Sequence, residues 1–254
     1  MQLQFLVLVA ATAVALPAPS KTLQERAAEQ CGQYQSQSSG GYTLSTNGWG
    51  WSSGTGSQCS EIDSTSGTST IAWDTTWSWS GTTTQVKSYT NVQANSYTKK
   101  QLSAYKSITT TWNWAYTGTG LSCNVAYDTF VGASATGSNT FEVMVWLGLY
   151  GGVSPLSTNG YPFTPIATPT IGGVAFDLAY GLNGAVKVYS FVAHDHAATS
   201  FTGDLLNFYK YLETNYASNG FTSSLYLQEI QAGSEVFDGS NAKLATSAYS
   251  VVVT

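Results

Sequence analysis

Charge is scarce in this chain of 254 residues: only 9% of them are Asp, Glu, Lys or Arg, and Arg26 is the single arginine. Nine basic side chains against fourteen acidic ones leave a formal net charge of −5 and a pI near 4.8. With no basic patch to displace counterions from a phosphate backbone, nucleic acid is excluded as a partner. Beyond the amino-terminus no apolar run approaches the roughly twenty residues a membrane helix needs, so no membrane association is expected. Histidine occurs twice, as His194 and His196 on one stretch with no thiol or carboxylate constellation around them. Both are read as surface-loop residues, and neither a metal site nor any other cofactor is expected. No Asn-x-Ser/Thr acceptor is present, which argues against N-glycosylation. Low charge does not mean disorder here, because 43% of the residues are apolar and 13% aromatic.

Residues 5–16 are apolar apart from Thr12, and Ala13-Val14-Ala15 offers the small-x-small pattern that signal peptidase reads. No Lys or Arg precedes this run, so the α-amino group of Met1 alone supplies its positive end. A signal peptide over 1–15 is expected, with cleavage extending at most to 18. Residues 16–26, with Pro17, Pro19 and Arg26, read as a short pro-segment, leaving 27–254 as one folded domain. The mature protein is expected to be secreted and monomeric, with Ser, Thr, Asn, Gln and Gly replacing charge on a surface suited to neutral sugars. In an oxidising compartment two of the three cysteines should pair. Cys31 and Cys59 flank Gly- and Ser-rich turns and are the expected pair, whereas Cys123 lies in an alternating segment and reads as a buried free thiol.

From Gly40 onward, short alternating segments rich in Thr, Val, Tyr and Trp are separated by Gly, Ser or Asn, which is strand chemistry. Strands are expected over 70–80, 107–115, 123–130, 140–147, 186–193, 224–231 and 245–253. Two apolar sheet faces must cover one another, so the fold class is all-β, a sandwich or barrel. One segment has a helical period: Leu205, Phe208, Tyr209, Leu212 and Tyr216, with Thr202 and Asp204 as capping and dipole-complementing groups at its start. Four of the six prolines fall within 155–169, marking a long loop of the kind that lines binding sites.

The chemistry lies in the carboxylates. Thr140-Phe141-Glu142-Val143-Met144-Val145-Trp146-Leu147 is almost wholly apolar, and a carboxylate within it is costly to bury unpaired. Alternation turns Phe141, Val143, Val145 and Leu147 to the core and places Glu142, Met144 and Trp146 together on the opposite face. A Glu that merely faces solvent explains this strand equally well. Glu235, in Gln231-Ala232-Gly233-Ser234-Glu235-Val236-Phe237, adds a second such carboxylate; Glu229 shares its parity and is the rival, read as an exposed strand residue. Asp128 joins Asn124 and Ala126 on one face of a third strand. Glycoside hydrolysis gives such carboxylates a purpose, since two of them about 5–5.5 Å apart serve as nucleophile and general acid/base in retaining enzymes.

At these residues the sequence resembles glycoside hydrolase family 12, small secreted endo-β-1,4-glucanases and xyloglucanases. The resemblance spans nearly all of the mature chain and is most specific at Asn47-Gly48-Trp49-Gly50, Gly54 to Cys59, Val86-Lys87-Ser88-Tyr89, Asn124 to Phe130, Phe141 to Gly148, Val188 to Ala193 and Gln231 to Gly239. It implies a β-jelly roll of two curved antiparallel sheets, with a concave substrate cleft and one helix on the convex side. It also implies a Cys31–Cys59 disulfide. By position Glu142 matches the nucleophile, Glu235 the general acid/base and Asp128 the residue that supports the nucleophile. Trp49 matches a sugar-stacking platform, and Asn47, Met144 and Trp146 match cleft-lining positions. Three departures stand out: Gly48 where Leu is usual, Trp51 where a polar residue is common, and Val236 in place of Pro.

Loops at 166–174, 202–205 and 239–244 are most similar to the xyloglucan-specific branch. The function implied is retaining hydrolysis of internal β-1,4-glucosidic bonds in xyloglucan. Alternatives are a general endoglucanase on unbranched glucan or cellulose, a related jelly-roll xylanase, and a non-catalytic carbohydrate-binding jelly roll.

Overall fold

β-Branched and aromatic residues in alternation favour extended chain, and the Gly-, Ser- and Asn-rich breaks between them permit reversals. In a computed structural model, which describes residues 28–254, twelve strands follow from that pattern. The signal peptide expected at 1–15 and the pro-segment expected at 16–26 lie outside the described residues. In chain order the strands are β1 (Ser36–Ser39), β2 (Tyr42–Ser45), β3 (Gly54–Ser66), β4 (Thr70–Gly81), β5 (Ser88–Ala94), β6 (Ile108–Gly132), β7 (Asn139–Tyr150), β8 (Thr170–Ile171), β9 (Val174–Asn183), β10 (Val186–Ala193), β11 (Ser200–Asp204) and β12 (Tyr226–Val253). One α-helix, α1 (Leu206–Tyr216), precedes β12.

The strands form two layers of a jelly roll. One runs β1-β2-β5-β12-β6-β7-β10-β9-β8; the other is built from β3, β4 and β11 on the remaining halves of β12 and β6. β6 and β12 therefore belong to both layers. The first half of β12 pairs with the second half of β6 (Tyr226 opposite Gly132), and its last half pairs with the first half of β6 (Val253 opposite Ile108). The segments expected separately at 107–115 and 123–130, and at 224–231 and 245–253, are thus two continuous strands. They turn the corner between layers where Gly118, Gly120, Gly239 and Asn241 adopt positive φ and the register slips. Pairing is antiparallel throughout except between β7 and β10, which run parallel with Glu142 opposite Val188.

The core between the layers is aromatic. Trp73 stacks on Trp112 at 6.0 Å, Trp112 meets Tyr127 at 5.1 Å, and Tyr249 closes the group at 5.6 Å from Trp73. Burying each such ring contributes about 2–3 kcal/mol. Phe141, Val143, Val145 and Leu147 join this core, as alternation requires, while Met144 and Trp146 belong to a separate apolar cluster on the other face of the sheet. α1 packs on the core face of the long layer, with Phe208 5.0 Å from Phe191 and 5.2 Å from Phe176. Its start is held by Asp204, whose Oδ1 accepts from the Leu206 and Ile108 main-chain N–H groups at 3.0 and 2.8 Å. Thr202 is not a cap: it lies in β11 and bonds Thr111 across the strand pair. Cys31 and Cys59 are disulfide-bonded and Cys123 is a buried free thiol. Among the described residues no helix is long and apolar enough to cross a membrane.

Candidate active-site cleft

The outward face of the long layer carries a groove. Register places Asp128 of β6 between Gln231 of β12 and Met144 of β7, and Ala126 between Gly233 and Trp146. Glu142 follows two residues before Met144, and Glu235 sits opposite Tyr89 of β5. Coiling of the sheet brings Glu142 and Glu235, from strands separated by β6, to one hollow of about 270 Å³ with Trp49, Met144, Trp146 and Phe237. A contiguous hollow holds Asp128, Glu142 and Glu235 together with Asn47, Tyr89 and Glu229. The expected cleft residues are therefore gathered in one groove.

Burial governs the ionisation of all three central carboxyls. Desolvation and the nearby Glu142 carboxylate push Glu235 up to about 7, against a hydrogen bond from Asn124 that favours the charged form. Glu142 is buried and raised by desolvation, opposed by a hydrogen bond with the Asn183 side chain. Asp128 is raised well above the ordinary carboxylate range by burial first, then by Glu142, Glu235 and Glu229. Two neighbouring carboxyls whose surroundings shift them unequally in this way can divide the roles of acid and nucleophile.

The rim is built from loops. Residues 47–50 form a turn in which Asn47 adopts positive φ, its carbonyl accepts from Tyr89 N–H at 3.1 Å, and Gly50 N–H donates to the Lys87 carbonyl at 3.0 Å. Trp49 projects from it, 52% exposed, as a flat apolar face beside the carboxyls. The departures at 48 and 51 explain one another: a Cβ on Gly48 would fall on the indole of Trp51, which packs against Trp79 at 5.4 Å. Of the proline-rich stretch, Pro155 and Leu156 line the groove, with Ser154 just before it. Val236, the third departure, is buried against Trp77, Trp79 and Cys123 beneath the cleft.

Several groove residues escaped the sequence reading. Asn183, which lines the groove, ends β9 as the first residue of an Asn-Gly reversal, and turn chemistry alone is reason enough for an Asn there. Tyr34, 67% exposed, extends the groove past Asn47 and Gln231, and its only signal was an aromatic within a polar segment. Asn124 lies on the same face as Asp128, as alternation requires, and its partner there is Glu235. Glu229 lies farther along the groove, accepting from Gln231 Nε2 at 2.7 Å. His194 and His196 are exposed, His194 Nδ1 lying 3.1 Å from Asp177. The Cys123 thiol is pushed up to about 12 by burial, which removes it as a nucleophile.

Comparison with known proteins points the same way. The sequence pattern of glycosyl hydrolase family 12 matches residues 40–254. The chain is 48% identical over 236 residues to the xyloglucan-specific endo-beta-1,4-glucanase A of Aspergillus aculeatus, covering 93% of this chain and 95% of that one. Its fold superposes on endoglucanase 3 of Trichoderma harzianum with a TM-score of 0.81 and 35% identity, over 92% of this chain and 100% of that chain. The catalytic domain of Humicola grisea Cel12A, solved with a soaked thio cellotetraose, gives a TM-score of 0.80 at 31% identity, over 89% and 99% of the two chains.

Proposed function

The chain belongs to glycosyl hydrolase family 12, and from that premise we propose that it cleaves internal β-1,4-glucosidic bonds of xyloglucan with retention of configuration. The observation that carries the reading is the meeting of Glu142 and Glu235 in one groove, with Glu235 held at about 7 by burial and by Glu142. Glu142, ionised, attacks the anomeric carbon, while Glu235, protonated, gives its proton to the departing glycosidic oxygen. The glycosyl ester on Glu142 is then released by water, which Glu235, now a carboxylate, deprotonates. Asp128, kept as a neutral acid, is available to donate a hydrogen bond towards Glu142 and so orient it.

Trp49 stacks a sugar ring at one end of the groove, and Asn47, Met144 and Trp146 line its floor and side. Xyloglucan is favoured over unbranched glucan by the relatives' names, at identities near one half. Work outside the cell fits the Cys31–Cys59 disulfide, which an oxidising compartment preserves, and the apolar leader at 5–16. A monomer suffices, because every group invoked comes from one chain.

The test is reducing-end release from xyloglucan, mixed-linkage β-glucan and carboxymethyl cellulose in parallel, with NMR of the first-formed anomer. Activity on xyloglucan with a β-anomer formed first supports the reading. Preference for the unbranched polymers would move the function to general endoglucanase, and a Glu142→Gln enzyme with ordinary turnover would remove Glu142 as nucleophile.

A further inference from the structure

The Val86-Lys87-Ser88-Tyr89 motif supplies no group to the reaction above, yet its lysine has no solvent exposure at all. An ammonium is costly to bury unless its protons are taken up. Lys87 Nζ donates to three main-chain carbonyls: Thr82 at 2.7 Å, Gln85 at 2.8 Å and Phe237 at 2.8 Å. These use every donor the group has. Burial holds the ammonium below the ordinary lysine range, and Asp238 opposes that shift at longer range.

The acceptors come from two distant segments. Thr82 and Gln85 bound a turn closed by Gln85 N–H to the Thr82 carbonyl, and Thr84, Gln85 and Val86 line the groove. Phe237 lies on β12 two residues beyond Glu235 and lines the same groove. The Lys87 main chain adds to the clamp, its N–H donating to the Val236 carbonyl at 2.8 Å and its carbonyl accepting from Gly50 at 3.0 Å. Space for the stem exists because residue 54 is glycine; a Cβ there would fall on Lys87 Cε. Above the clamp, Val86 packs with Phe237, Met144 and Trp146 into an apolar wall beside Glu235.

We propose that Lys87 is a positioning residue for the acid/base glutamate: its ammonium pins the 82–86 turn to Phe237, and the wall so formed limits the access of water to Glu235. The proposal rests on the reading of Glu235 as acid/base. The groups that face Glu235 are Glu142 on β7, Asp128 and Asn124 on β6, and Tyr89 on β5. None of these is altered when Lys87 is changed, and loss of the Lys87 charge alone would move Glu235 towards base, so a shift of its titration towards acid reports on the wall.

Lys87→Met, which removes every donor, and Lys87→Gln, a shorter neutral side chain with two donors, are compared in the full-length enzyme with wild type and Glu235→Ala. Thermal melting and kcat and KM across pH are read on whichever β-glucan the wild type cleaves. The expected result is a cooperative melt and a fall in kcat/KM of about ten- to a hundred-fold, carried by kcat and smaller for Gln. Wetting of Glu235 should also move the alkaline limb about one pH unit towards acid. A folded Lys87→Met with wild-type kcat and an unmoved limb overturns the proposal. So does failure of both variants to fold, which would make Lys87 a residue of stability alone. Full activity in Glu235→Ala instead sinks the acid/base reading itself, so the two failures are told apart.

Discussion

Asn124 and Glu235 are joined twice: Asn124 Nδ2 donates to Glu235 Oε2 at 2.6 Å, and the Glu235 main-chain N–H donates to Asn124 Oδ1 at 2.8 Å. The second bond fixes which end of the amide faces the carboxyl, so Asn124 acts as a donor and favours the charged form. Asn124 is itself fully buried, and its carbonyl accepts from Ser234 Oγ at 2.5 Å. In Asn124→Ala, burial and Glu142 act on Glu235 unopposed, and Glu235 keeps its proton to higher pH. The alkaline limb of kcat/KM should rise by about half to one pH unit. The Glu235 N–H, left without its acceptor, should cost about 1–3 kcal/mol of stability in denaturant melts. A limb that moves towards acid would contradict this account of the pair.

The same carboxyl couples folding to pH. Glu235 titrates at about 7 in the fold against an ordinary 4.5, so between those values the folded chain binds more protons than the unfolded one. Stability from this group is complete below pH 4.5 and is lost as pH rises through 7. Glu142 and Asp128, also raised, act in the same direction. Glu235→Gln removes one such group while leaving an oxygen for Asn124. It should be more stable than wild type at pH 8 by about 2 kcal/mol, a figure reduced from the full shift because Glu235 is partly exposed, and no more stable at pH 4. Melting temperatures across pH decide the matter, and parallel curves for the two proteins would refute it.

Gly48 and Trp51 should behave as one unit. The indole of Trp51 occupies the space a side chain at 48 would need, so Gly48→Leu alone forces the ring out of its contact with Trp79. Trp51→Ala alone leaves a void. The double variant Gly48→Leu/Trp51→Ala should recover at least about 1 kcal/mol relative to the sum of the single changes. Additive losses in a double-mutant cycle would mean that the two positions are not coupled.

Alternation identified the strands and the two faces of 140–147 because side-chain parity survives any tertiary arrangement. It could not reveal that 107–115 continues into 123–130, since Gly118 and Gly120 read as a turn whether the strand ends there or bends into the other layer. The parallel β7–β10 pair was hidden for a related reason: its two strands are joined through a long loop and a hairpin, and parity does not encode direction. The carboxyls at 128, 142 and 235 were legible as misfits in apolar strands. Asn124, Asn183 and Lys87 were not, because an amide or an ammonium declares its role only through the distant groups that it meets.

Trp49 offers the cleanest separation of binding from chemistry. It is 52% exposed and carried by a turn whose main chain is held by Tyr89 and Lys87, so removal of its indole leaves the carboxyls and their supports in place. A ring stacked equally on substrate and transition state contributes uniform binding, which appears in KM. Trp49→Ala should therefore raise KM on a soluble polymer by about five- to twentyfold, the 1–2 kcal/mol of an aromatic contact, with kcat within about twofold and the melt unchanged. Tyr34, farther along the groove, should follow the same pattern only for substrates long enough to reach it. Should Trp49→Ala lose kcat instead, the indole would be acting on the reacting sugar, and the groove would be read with its cleavage point closer to the 47–50 turn.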